Sequence, residues 1–407
     1  MTNGSEENPL TKANLIHPPL WGNMMARAVS DIAEGELVLR FTNGAERTIK
    51  AAQHGAKAVL DVARARSFRR LLLGGEIGLA ESYMDGDWTS PDLASVFEFG
   101  ARNMHRLTDT LTGIAPLEWA RMVTHKLRAN TRKGSRKNIA AHYDLGNAFY
   151  SQWLDPTMTY SSAVFDSPNQ SLEEAQRNKW RKLAEMLNLR EGMHVLEIGC
   201  GWGGFAMFAA KEYGCKVTGI TLSTEQLAFA KKAAAEAQLS HLTDFRLIDY
   251  RDVTGSFDRV VSIEMFEAVG EEHWPSYFQV VRDRLKPGGV AALQIITVED
   301  RRFEEYRGQV DFIQMYIFPG GMLPSPSILK LEAAKQGLGF ETARTFALSY
   351  AETLRRWREV FDARWETIQP LGFDERFKRM WDYYLASCEG GFRAGNIDVG
   401  QFRLTRV

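Results

Sequence analysis

The chain has 407 residues, 44% hydrophobic and 25% charged, enough to bury a substantial core in two domains or in one large domain with an appendage. Its 50 basic and 51 acidic side chains leave a net charge of −1, so no global field points to nucleic acid. Three cysteines, Cys200, Cys215 and Cys388, are too few and too scattered for a disulfide framework or a zinc site; this suits a reducing cytoplasm, and no metal is expected.

The first residues, Met1-Thr-Asn-Gly-Ser-Glu-Glu7, are polar and acidic, unlike a signal peptide, and residues 1–18 read as a loose tail. No apolar run approaches the ~20 residues that span a bilayer, so any work on lipid is expected from the surface. Leu37-Val-Leu-Arg-Phe41 alternates towards its end, and Asn43-Gly44 follows, which predicts a type I′ hairpin within a small β element near 35–60. Helical character starts at Ser67, is interrupted by Gly74-Gly75, and resumes over Ile77–Met84 before an Asp85-Gly-Asp-Trp88 turn. Residues 19–110 are expected to form a smaller α+β domain.

Residues 111–140 read as a basic connector. Arg121, Lys126, Arg128, Arg132, Lys133, Arg136 and Lys137 occur with no acid among them. Such a run is a solvated linker or a contact for anionic phospholipid headgroups; no nucleic-acid module accompanies it.

From residue 191 strands and helices alternate. Strands are expected at 194–198, 215–221, 244–248, 259–263 and 290–297, with helices after the first glycine turn, over 223–238 and over about 274–285. That order implies a parallel sheet with helices on both faces, and ligands at the C-terminal strand ends. Those ends carry Glu197, Thr221, Asp249, Glu264 and Gln294. The first strand runs into Gly199, Gly201, Gly203 and Gly204, a turn whose backbone can approach a ligand closely. No Gly-Lys-Ser/Thr follows, which argues against a Walker-type phosphate loop. The second strand ends in Thr221-Leu-Ser-Thr-Glu-Gln226 without the acid that an NAD fold wants.

Val195-Leu-Glu-Ile-Gly-Cys-Gly-Trp-Gly-Gly204 resembles the first motif of class I S-adenosylmethionine (SAM) methyltransferases. Gly219-Ile-Thr-Leu-Ser223, Asp249-Tyr-Arg-Asp252, Ser262-Ile-Glu-Met-Phe-Glu-Ala-Val-Gly270, Ala141-His-Tyr-Asp-Leu-Gly-Asn147 and Met158-Thr-Tyr-Ser161 narrow it. With Tyr316-Ile-Phe-Pro-Gly-Gly321 and Tyr383 to Arg393, they are similar to the cyclopropane-fatty-acyl-phospholipid synthase and mycolic acid methyltransferase family. The likeness covers about residues 138–405, and residues 141–407 are expected to be the catalytic domain, with a lipid-site insertion near 300–325.

The resemblance implies roles. Tyr143, Tyr160 and Ser161 would close over SAM, residues 196–204 with Glu197 would hold its methionine part, and Thr221, Ser223 and Gln226 the ribose. Asp249, Tyr250 and Arg251 would serve the adenine, and Glu264 joins the cofactor set. Methyl transfer to a cis alkene leaves a carbocation, so the site must be apolar, exclude water and position one base. In the resembling synthases the base is bicarbonate. Glu267 and Tyr350 (the latter expected beside an apolar strand end) match two of its ligands, and Ile296 a backbone contributor. The usual histidine is here Gln294 and the usual cysteine Ser162, so the base site is altered, and a methyl- or methylene-branched product is expected over a cyclopropane. Cys388 matches a cysteine of the family's site, but this chemistry needs no thiolate and a buried structural thiol is expected. Trp202, Phe266, Tyr316 and Phe318 read as core or as cation-facing walls.

The expected function is therefore SAM-dependent C-methylation of unsaturated phospholipid acyl chains, by a cytoplasmic protein in peripheral contact with the inner face of the membrane, with room for a homodimer. A methyltransferase for a small soluble acceptor and a non-enzymatic lipid binder on the same scaffold are the competing readings.

Overall fold

The computed structural model describes residues 17–111 and 145–406. Most of the expected tail, the basic run at 121–137 and Tyr143 lie outside the described residues.

The chain begins with helix α1 (Leu20–Ala28) and a four-stranded sheet of order β2-β1-β3-β4. Its strands are β1 (Glu34–Phe41), β2 (Glu46–Lys50), β3 (Gln53–Val62) and β4 (Trp88–Thr89). The hairpin between β1 and β2 forms as the sequence implies, but not as a type I′ turn. That turn needs positive φ at both central residues, and here only Gly44 (φ 81°) has it, while its N–H donates to the Phe41 carbonyl at 2.9 Å. The loop is thus the three-residue kind that ends on a left-handed glycine. Helix α2 (Arg66–Met84) bends at Gly75, whose φ of 56° no helix accommodates, matching the expected interruption. The turn after it is held by Asp87, a fully buried carboxylate that accepts from Arg66 Nε at 2.7 and 2.6 Å. Helix α3 (Leu93–Arg102) starts where the Asp92 side chain accepts from the Ser95 N–H, and α4 (Met104–Leu111) follows.

After α5 (Leu172–Leu187), opened by a Ser171/Glu174 capping box, the chain enters a seven-stranded sheet of order β10-β11-β9-β8-β5-β6-β7. Strands β5 (His194–Ile198), β6 (Lys216–Thr221), β7 (Thr243–Leu247), β8 (Phe257–Ile263) and β9 (Leu285–Val298) are parallel to their neighbours among themselves. The intervening helices are α6 (Gly204–Tyr213), α7 (Thr224–Glu236) and α8 (Trp274–Arg284). Helix α9 (Pro326–Lys335) then leads to the edge strand β10 (Leu338–Thr345), and β11 (Ile397–Arg406) inserts between it and β9, antiparallel to both. The sheet is therefore mixed, because the chain returns to it after two long helices, α10 (Ala347–Ala363) and α11 (Glu375–Ala394).

Those two helices bind the small sheet to the large one. Leu39, Val62 and Phe68 belong to one apolar cluster with Leu354, Trp357 and Trp381 of α10 and α11. Side chains of this size stabilise by roughly 1.5–3 kcal/mol each when fully buried. Gly390 of α11 lies where an added Cβ would sit 2.6 Å from the Glu98 N of α3, so a glycine is what lets these helices touch. The consequence is a cavity walled by both parts of the chain.

Candidate active site

The four glycines of the β5–α6 turn separate into two kinds. An added Cβ at Gly199 would meet Met265 Cγ at 2.6 Å, at Gly203 Phe245 Cζ at 2.9 Å, and at Gly204 Trp180 Cζ2 at 2.6 Å. These three serve packing. At Gly201 (φ 52°) nothing lies within 4 Å, and the residue lines a cavity of about 550 Å³. Gly201 therefore presents bare backbone to whatever ligand the turn receives.

Around that turn the cavity is polar. Glu197 ends β5, is 2% exposed, and its Oε2 is buried with no hydrogen-bond partner; burial pushes its carboxyl up to about 8. An orphaned oxygen of this kind suits the ammonium or a hydroxyl of a bound ligand. Thr221 Oγ1 donates to Gln226 Oε1 at 2.8 Å and accepts from the Ser223 N–H at 3.1 Å, and both Thr221 and Gln226 line the cavity. Tyr250 lines it as well, and so does Tyr160, whose hydroxyl meets Tyr384 Oη at 2.7 Å. These placements fit a SAM site.

Other expected cofactor residues are engaged differently. The Ser223 hydroxyl caps α7 by accepting from the Gln226 N–H at 3.2 Å. Asp249 accepts from the N–H, Nε and NH2 groups of Arg251, which also lies 5.3 Å from the Tyr250 ring centre, so these two charges neutralise each other. Ser161 Oγ accepts from Lys179 Nζ at 2.6 Å. Lys179 is not among the site residues expected from the sequence. It is 0% exposed on α5, and burial lowers it to about 8 against the charges of Glu264, Asp155 and Glu197.

Deeper in, the expected base site is rearranged. Tyr350 sits in the first turns of α10 rather than at a strand end, because β10 stops at Thr345. Its hydroxyl donates to Glu264 Oε2 at 2.6 Å. Gln294 Nε2 donates to Glu264 Oε1 at 2.7 Å, and the Ser162 backbone N–H to the same oxygen at 2.8 Å. The Ser162 hydroxyl itself is turned to the Ala163 carbonyl at 2.9 Å. Glu267 accepts the Ile296 N–H on Oε1 at 2.6 Å, while its Oε2 is buried without a partner. Burial first, and the Glu264 charge second, push Glu267 up to about 8, so it holds its proton at neutral pH. Cys388 lines the cavity as a thiol, since burial pushes it up to about 12; it is wall rather than nucleophile.

These contacts bear on two expectations. Glu264 was assigned to the cofactor, yet its carboxylate takes up Ser162, Gln294 and Tyr350. Of the groups that the resemblance would give to a bicarbonate, Gln294 and Tyr350 donate to Glu264, as does the Ser162 backbone, and the Ile296 N–H donates to Glu267, which leaves Glu267 Oε2 as the one unpartnered oxygen among them. The residues present do not fit a bicarbonate held in that place.

Beyond the carboxylates the cavity becomes apolar. Leu354 and Phe392 continue it, and Met25, Leu39, Leu60 and Val96 of the small sheet and its helices close it. Residues of the 300–325 stretch wall it as well. Phe318 and Met322 line the cavity, the Met322 N–H donates to the Glu267 carbonyl at 2.8 Å, and Tyr316 Oη donates to Glu81 of α2 at 2.8 Å. Of the remaining aromatics, Trp202 is a wall, whereas Phe266 packs into the core against Trp274 and Tyr277.

A glycine turn after the first parallel strand, an acid at that strand's end and a cavity across the strand termini define a class I SAM-dependent methyltransferase. The family model for mycolic acid cyclopropane synthetase matches residues 130–402, and the chain belongs to that family. It is 42% identical over 350 residues to the tuberculostearic acid methyltransferase UfaA1 of Mycobacterium tuberculosis, covering 83% of this chain and 81% of the relative. It is 38% identical to the cyclopropane-fatty-acyl-phospholipid synthase of Escherichia coli K12, over 83% and 85% of the two chains. The crystal structure of the mycolic acid cyclopropane synthase CmaA1 with SAH and CTAB superposes with a TM-score of 0.61 at 33% identity, covering 66% of this chain and 98% of that one.

Proposed function

We propose that this enzyme methylates the cis double bond of unsaturated acyl chains in membrane phospholipids and releases a mainly non-cyclic, methyl- or methylene-branched chain. One observation carries the proposal: a single cavity joins the polar glycine turn to an apolar chamber closed by the small sheet. A small polar acceptor has no use for that chamber. A lipid binder without activity has no use for the orphaned Glu197 oxygen or for the bare backbone of Gly201. The relatives' names, one for tuberculostearic acid and one for fatty-acyl-phospholipids, agree with an acyl acceptor.

Glu197, Gly201, Thr221, Gln226, Tyr250 and Tyr160 would hold SAM, which would supply an electrophilic methyl group when bound. The apolar arm orients the acyl chain and excludes water from the cation. The aromatic faces of Trp202, Tyr160 and Phe318 line the space in which positive charge develops. Residues 19–110 act in this reading as the floor of the acyl site, and residues 141–407 as the catalytic domain. Among the described residues no helix is long and apolar enough to cross a membrane, so access to lipid is assigned to peripheral contact at the inner, cytoplasmic face, through the basic run at 121–137.

Methyl-labelled SAM is incubated with vesicles of monounsaturated phospholipid, of fully saturated phospholipid, and with soluble amine acceptors. Label is expected in the unsaturated lipid alone. Equal labelling of saturated lipid, or labelling of an amine instead, overturns the proposal.

A further inference from the structure

We propose that Glu264 is the base of the reaction: a carboxylate built into the chain, in the place where a free anion would otherwise have to be captured. The inference rests on the methyltransferase reading above and deepens it.

Three donors from three segments of chain converge on this one carboxylate: the Ser162 N–H at 2.8 Å, Gln294 Nε2 at 2.7 Å and Tyr350 Oη at 2.6 Å. All three donate, so they are complementary to the ionised form, which only accepts. The orientation of the Gln294 amide is fixed by its other end. Gln401 Nε2 donates to Gln294 Oε1 at 3.0 Å, which turns the Gln294 NH2 towards Glu264, and its second hydrogen reaches the Ser162 carbonyl at 3.3 Å. A histidine there could share a proton with an anion; a glutamine so anchored can only hold a carboxylate in place.

The backbone gives independent support. Glu264 has φ 50°, left-handed and rare for a residue with a side chain. Such a conformer costs on the order of 1–3 kcal/mol and persists where surrounding contacts over-determine it, often at functional sites. Here the strain turns the side chain from the end of β8 into the cavity, which Glu264 lines together with Glu267. Burial first, and the Glu264 charge second, push the Glu267 carboxyl up to about 8, which favours its protonated form and makes it the poorer base near neutral pH. The geometry sets the two carboxyls apart: Glu264 receives three donors, whereas Glu267 receives the Ile296 N–H and keeps one buried oxygen without a partner.

The step balances without an oxidant or reductant. The alkene π pair forms the new C–C bond while the S–CH3 bond breaks, its electrons remaining on sulfur. The positive charge falls on the neighbouring chain carbon and can migrate by hydride shift. Glu264 then takes a proton from a C–H beside the cation, and that C–H pair becomes the new C=C bond. The products are the branched alkene, S-adenosylhomocysteine and a protonated Glu264, which returns its proton to solvent as product leaves.

The test uses the full-length protein with labelled SAM and monounsaturated phospholipid vesicles, in buffer stripped of carbon dioxide and then with added bicarbonate or acetate. Wild-type turnover is expected to change less than twofold on removing bicarbonate. E264Q should lose ~100-fold or more, the range general-base removal gives, and SAM affinity measured by calorimetry should stay within a few fold. E264G, whose backbone suits the left-handed conformation, should lose as much and recover at least tenfold with acetate or bicarbonate. E264Q should not recover, because its amide fills the space. E264Q turning over within threefold of wild type, or a wild-type enzyme that stops without bicarbonate, overturns the assignment. A wild type inactive on lipid under all conditions would instead sink the methyltransferase reading.

Discussion

Replacing Lys179 by methionine is expected to remove about 3 kcal/mol of folding stability and to suppress turnover more strongly than any surface change. Lys179 is the one fully buried lysine or arginine among the described residues, and the carboxylates of Glu264, Asp155 and Glu197 all favour its charge. Taking away one partner of a buried charge set costs about 3–5 kcal/mol, because the remaining charges stay desolvated. Protonation of the carboxylates offsets part of this, which sets the figure at the lower end. The catalytic consequence follows from the same field. Burial pushes Glu264 up, and Lys179 is the largest influence pulling it down. Without that cation Glu264 ionises only at higher pH, so the pH–rate profile of K179M should move to the alkaline side. Urea unfolding at neutral pH measures the first effect; stability within 1 kcal/mol of wild type contradicts it.

Gly201→Val should weaken SAM binding sharply while the fold survives. An added side chain at this turn meets open cavity rather than protein, so the damage falls on the ligand. A loss on the order of 100-fold in affinity, ~2.7 kcal/mol, is expected by calorimetric titration. Part of any stability loss reflects a branched residue at φ 52°. Gly201→Ala carries less of that strain and should still weaken SAM. Unchanged SAM affinity in a folded G201V protein removes the glycine turn from the cofactor site.

Much of this architecture was legible because hydrophobic period and glycine placement are local signals. The strand before Gly199 and the bend at Gly75 follow from neighbours in sequence. The missed features are long-range. Asn43-Gly44 signals a hairpin, but the closing contact of the loop decides which of the two residues turns left-handed. The edge strand β10 and its neighbour β11 carry weak patterns, with Gly339 and Gly400 and exposed polar residues on β10, and are fixed by the pairing of β11 with β10 on one side and β9 on the other. Lys179 had a signal that went unread: Ala175, Lys179, Leu183 and Leu187 recur at helical spacing, which sets the lysine on the buried stripe. Glu264 had none. Its position at the end of β8 suits a cofactor residue, and only contacts from Ser162, Gln294 and Tyr350, far apart in sequence, give it a different partner set.

The central claim, methyl transfer to an acyl double bond with a mainly non-cyclic outcome, is tested most directly by gas chromatography–mass spectrometry. Fatty acids are taken from a host that expresses the protein and is fed methyl-deuterated methionine. The new chains should be one labelled carbon longer in mass and should convert to saturated methyl-branched chains under mild hydrogenation. They should retain three deuteriums, or two where the new double bond forms at the donated carbon. A labelled product that resists mild hydrogenation and retains two deuteriums is a cyclopropane and contradicts the account, as does a host whose acyl chains carry no label at all.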